Sequence, residues 1–79
     1  MGQLVSGSQG KEVRQLQELL NEVLDEKPPL KVDGIFGPKT NARVVAFQKQ
    51  AKLAPDGIVG PKTNRALVAA VLTANIRGY

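Results

Sequence analysis

Residues 11–24, KEVRQLQELLNEVL, place apolar side chains at Val13, Leu16, Leu20, Val23 and Leu24. Those steps of three and four keep one stripe apolar at 3.6 residues per turn, which predicts an amphipathic helix. Ser8 stands where an N-cap would be, and Glu12 falls in the first turn, where the helix dipole favours a carboxylate. Pro28-Pro29 stop the helix and open a loop of about eight residues. Two further stripes follow: Val44, Phe47 and Ala51 over 38–51, and Leu67, Ala70, Val71 and Ala74 over 61–75. The pattern reads as all-α, a small three-helix bundle in a single domain over 1–79, with its core between about 4 and 75.

The second and third helices open on nearly the same words. DGIFGPKTN at 33–41 returns as DGIVGPKTN at 56–64, with Val59 in place of Phe36. Asp33-Gly34 and Asp56-Gly57 are turn signals, and Gly37 and Gly60 free the backbone just before each helix. Pro38 and Pro61 suit a first helical position, where their missing N–H costs nothing. Ile35 and Ile58, between the two glycines of each loop, are expected to plug into the core. Thr40 and Thr63, near the third helical position, are expected to hydrogen-bond Asp33 and Asp56. EVRQLQ at 12–17 also aligns with RVVAFQ at 43–48, so Gln17 and Gln48 each follow a core valine by four residues. A buried amide without partners costs about 1–3 kcal/mol. The irregular loops have backbone groups in the same need. Both glutamines are therefore expected to brace the DGIxG loops.

Composition narrows the chemistry. The chain has no cysteine and no histidine, which removes disulfides, thiolate metal sites and the commonest general base. Scattered carboxylates alone make a poor transition-metal site, so neither metal nor cofactor is expected. Asp33 and Asp56 could pair as glycosidase acids only in unlike surroundings, and here they occupy two copies of one local sequence. No run approaches the roughly 18–20 apolar residues of a membrane span. Met1-Gly2 with Ser6 fits only the short, degenerate myristoylation pattern.

Net charge is +4, unevenly spread. Residues 1–32 hold four basic and five acidic side chains; residues 33–79 hold seven basic and two acidic, a surplus of five. The second half expects an anionic partner. Nucleic acid fits poorly, because no dense Lys/Arg cluster and no basic–aromatic interleaving is present. Lys39 and Lys62 sit in the first turn of their helices, where a lysine opposes the dipole. Stability alone would not select that position twice, which points to a ligand.

Gly7-Ser8-x-Gly10-x-Glu12-Val13, Leu16-Gln17, Leu20-Asn21, DGIFGPKT, Phe47-Gln48, DGIVGPKT and Leu67 occur in that order. This series resembles the peptidoglycan-binding domain, the three-helix module appended to bacterial and phage cell-wall hydrolases, over about residues 4–72. The resemblance implies a non-catalytic module that binds peptidoglycan or muropeptides and tethers a catalytic domain in cis or in trans, and a monomer is expected. It also implies a location at the cell wall, in the periplasm or outside the cell, after export. Where the family usually carries a tryptophan after the loop threonine, this chain has Asn64, and Asn41 in the first copy. Recognition is thus expected to run through charge and hydrogen bonds to the peptide stem. The ligand-facing set is Lys39, Asn41, Arg43, Lys62, Asn64 and Arg65, with Phe36 beside a groove. Asp33, Gly34, Gly37, Thr40, Asp56, Gly57, Gly60, Thr63, Gln17 and Gln48 are the structural loop set. The alternative reading is a protein-interaction or propeptide-like domain that has lost glycan binding.

Overall fold

The computed structural model describes residues 3–24 and 26–77, with side chains as far as Thr73. Met1-Gly2 of the lipidation pattern and the side chain of Ala74 lie outside the described set. Three helices form: α1 (Lys11–Val23), α2 (Pro38–Gln50) and α3 (Pro61–Arg77). The core joins Val13, Leu16, Leu20 and Leu24 to Leu30, Phe36, Val44, Phe47, Val59 and Leu67. Each fully buried Leu, Val or Phe contributes about 1.5–3 kcal/mol, so this cluster is the main stabilising term. Val23, Ala51 and Ala70 pack against its margin.

Each connection doubles back along the helix it leaves. Residues 30–34 run beside α1 from Asn21 to Gly10, and residues 56–58 run beside α2. The segment from Leu4 to Gly10 then stitches the loops together. Leu4 exchanges both backbone hydrogen bonds with Val59, at 3.1 and 2.8 Å. Gly7 donates to Phe36, Phe36 donates to Ser8, and Gly10 donates to Gly34. The starts of all three helices therefore gather at one end.

That end holds a third, degenerate copy of the repeat. Gly7, Gly34 and Gly57 take φ of 97°, 76° and 75°, and three residues after each comes the glycine that precedes a helix. Those three glycine carbonyls accept the first helical hydrogen bonds, from Arg14, Asn41 and Asn64.

Three expectations need correction. Ser8 does not cap α1; Gly10 is the N-cap, and Ser8 Oγ instead accepts the Val5 N–H at 3.0 Å in a tight turn. Ile35 is 51 % exposed and Ile58 only half buried, whereas Phe36 and Val59 are in the core. In extended backbone, neighbouring side chains point to opposite faces, so burying Phe36 turns Ile35 out. Phe36, at 1 % exposure, therefore presents no face to a ligand.

Candidate functional site

The two glutamines sit at the centre of two matching networks. Gln17 Nε2 donates to Asp33 Oδ1 (3.1 Å), Ile35 O (3.0 Å) and Thr40 Oγ1 (3.1 Å), and Gly34 N–H donates to Gln17 Oε1 at 2.9 Å. Gln48 makes the same contacts with Asp56, Ile58, Thr63 and Gly57, at 3.1, 3.0, 3.1 and 3.0 Å. The amide orientation follows from chemistry: a backbone N–H needs an acceptor, and a carboxylate needs a donor. Thr40 and Thr63 reach the aspartates only through these amides. Asp33 and Asp56 also accept the N–H two residues on, from Ile35 and Ile58, each at 2.9 Å. The Ile35 N–H, and after it the Gln17 amide, hold the Asp33 carboxyl below its usual range.

Gly34 and Gly57 occupy left-handed backbone that strains any residue with a Cβ, and each is closely approached. At Gly34, with φ of 76°, a Cβ would stand 3.2 Å from the Gly10 carbonyl oxygen. At Gly57, with φ of 75°, a Cβ would collide with Asn41 Oδ1. Asn41 is therefore packed against the second loop and half buried rather than facing outward. Arg43 is also engaged. Its side chain is 16 % exposed, its Nη2 donates to Pro28 O at 2.7 Å, and its Nε lies 3.4 Å from Glu26 Oε1. This is the single ion pair among the described residues. Lys39, Lys62, Asn64 and Arg65 are exposed in the opening turns of α2 and α3.

A groove flanks each repeat, and the two differ in charge. The first, about 730 Å³, runs between the α1–α2 connection and the start of α2, past Pro28, Pro29, Ile35, Lys31, Lys39 and Arg43. The second, about 340 Å³, lies between α1 and the start of α3, past Leu4, Glu12, Leu19, Val59, Pro61 and Asn64. Sequence reasoning missed Lys31 and the wall made by Pro28–Leu30. The signal was a length difference: residues 24–37 connect the first pair of helices and only 51–60 the second. Asn21 holds the longer connection with a paired clasp, donating to Leu30 O at 2.9 Å and accepting its N–H at 2.7 Å.

The aspartates share one environment, so they do not divide into an acid and a base. Among the described residues no three His, Cys, Asp or Glu side chains gather to hold a metal ion. Fold and site define a loop-braced, three-helix binding module. The chain matches the peptidoglycan binding domain family over residues 9–67 and belongs to that family; it is a non-catalytic peptidoglycan-binding module of the cell wall. The N-terminal domain of SleB is 34 % identical, with a TM-score of 0.81 over 89 % of this chain and 93 % of that one. An L,D-transpeptidase from Xylanimonas cellulosilytica is 41 % identical, with a TM-score of 0.79 over 89 % of this chain and 33 % of that one. A peptidoglycan-binding protein from Clostridioides difficile, solved with glutamine hydroxamate, is 38 % identical, with a TM-score of 0.76. That match covers 84 % of this chain and 40 % of the other. The chain thus spans less than half of the last two proteins. No curated protein matches it.

Proposed function

We propose that this module, acting as a monomer, anchors a cell-wall enzyme to peptidoglycan by binding the anionic peptide stems. The observation that carries the reading is the convergence of both loop–helix units at one end, with Lys39 and Lys62 exposed in the first turns of α2 and α3. Neither lysine pairs with a carboxylate among the described residues. Arg65 and Asn64 extend the same surface, while Arg43 and Asn41 support it from beneath. The tethering role is supported by the transpeptidase, in which a similar domain makes up a third of the chain.

The test is co-sedimentation with purified sacculi. Wild type should pellet with them and leave the turbidity of the suspension unchanged. Lys39→Glu combined with Lys62→Glu should bind weakly, while Glu18→Lys or Glu22→Lys on α1 should bind as wild type does. Lysis of sacculi by the pure domain, or full binding by a folded double variant, would overturn the reading.

A further inference from the structure

The repeat is nearly symmetric in sequence, but the surfaces beside its two copies are not. We infer that the groove beside the first copy is the peptide-binding site and that it takes the free C-terminal carboxylate of a stem peptide. This rests on the peptidoglycan reading above and adds to it a place and a chemical group.

Three observations carry the assignment. Charge comes first: Lys31, Lys39 and Arg43 line the first groove, whereas the described lining of the second includes Glu12 and no basic residue. An anion is attracted by the first and repelled by the second. Of the carboxylates, Asp33 lines the first groove and Glu26 stands near it, and the three basic side chains still leave a positive surplus. Asp33 Oδ1 already accepts from Ile35 N–H and Gln17 Nε2, and Glu26 is paired with Arg43. Lys39 makes no ion pair among the described residues and is left to meet a ligand, while Lys31, whose charge also acts on Asp33, adds to the positive field.

Shape is the second observation. The groove, at about 730 Å³, lies within the roughly 300–1,000 Å³ typical of small-ligand sites. Its wall is held from both flanking helices, by Asn21 on Leu30 and by Arg43 on Pro28. A wall fixed before binding loses little entropy on binding. The second connection is four residues shorter and, beyond the Gln48 brace that matches Gln17, has no added clasp like those of Asn21 and Arg43 among the described hydrogen bonds.

The third is apolar. Ile35 is 51 % exposed on the groove, although its loop is rigidly bonded on the other side. With Pro28, Pro29 and Pro38 it offers an apolar surface to the methylene groups of a stem side chain, while the lysines take the carboxylate. A carboxylate with an aliphatic flank is what this combination selects.

The experiment is NMR titration of the 79-residue chain, ¹⁵N-labelled, with a synthetic stem tetrapeptide. The same peptide with an amidated C-terminus and a peptide-free muramyl disaccharide serve as comparison ligands. Amide shifts should concentrate in residues 28–43 with the free acid, and amidation should raise Kd about tenfold. Lys39→Glu should raise Kd about tenfold, and Ile35→Ser about fivefold with an unchanged fold. Lys49→Glu, which makes the same change in net charge at the far end of α2, should stay within about twofold. Shifts centred on Val59, Pro61 and Asn64, equal affinity for acid and amide, or Lys39→Glu no worse than Lys49→Glu would overturn the inference. Binding to sacculi but not to the peptide would also overturn it, along with the stem-peptide part of the reading above, while leaving peptidoglycan binding itself intact. Binding to neither would remove both.

Discussion

The Gln48 amide has two hydrogens and meets three acceptors, Asp56 Oδ1, Ile58 O and Thr63 Oγ1, so one N–H is shared. Its oxygen takes the Gly57 N–H, and no buried side-chain polar atom among the described residues lacks a partner. Gln48→Leu keeps the volume but leaves the buried Gly57 N–H without an acceptor. Loss of that one bond is expected to cost about 1–3 kcal/mol in urea denaturation. Gln17→Leu should cost a similar amount at Gly34, and it tests a second property. The Asp33 carboxyl lies below its ordinary value of 3.8 because it accepts from Ile35 N–H and then from Gln17. A depressed folded-state pKa adds stability above the unfolded value and loses it as pH falls through the folded value. Stability should therefore decline on acidification below 3.8. In Gln17→Leu that decline should shrink without vanishing, since the larger cause, the Ile35 N–H, remains. An acid limb identical to that of wild type would mean that Gln17 does not act on Asp33.

Among the elements, α2 ends on an unfavourable residue. Leu53 N–H donates to Gln48 O at 2.8 Å and Lys52 N–H to Lys49 O at 3.1 Å, the paired bonds of a Schellman motif. The left-handed position falls on Lys52, with φ of 61°, where glycine is the usual residue. Lys52→Gly removes the Cβ strain and adds some unfolded-state entropy, for a net gain of about 0.5–1 kcal/mol. An unchanged urea midpoint would argue against a left-handed terminus. Helix positions were legible in the sequence because period and punctuation agreed: Pro38 and Pro61 begin the elements that the apolar stripes require. The loops were less legible. A two-residue run between glycines has no period to read, so nothing in Ile35-Phe36 says which side chain turns inward. The stapling by Leu4–Gly10 was hidden for a related reason. Its bonds are backbone to backbone, and such pairing leaves little trace in side-chain identity. The groove was missed because its wall is built from a connection whose prolines read only as a helix stop.

At the scale of the whole molecule, the charge is polarised along the chain, and the fold turns that into a surface. The five surplus positive charges of residues 33–79 belong mostly to α2, α3 and their loops, while α1 exposes Glu12, Glu18 and Glu22 against Lys11 and Arg14. On the proposed reading the stems present ionised carboxylates, so attraction should act before any groove is filled. Exposed charges are screened beyond about 10 Å at 0.1 M salt and about 3 Å at 1 M. Raising salt should therefore remove the long-range part of sacculus binding first and leave the short-range contacts at Ile35 and the prolines. Co-sedimentation across a salt series is expected to show a steep fall in affinity that flattens to a residual level at high salt. The Lys39→Glu and Lys62→Glu double variant should start low and vary far less, because the charges that respond to salt have been reversed. A wild-type curve independent of salt would assign recognition to apolar contact alone, and Ile35→Ser would then weaken binding more than either lysine reversal.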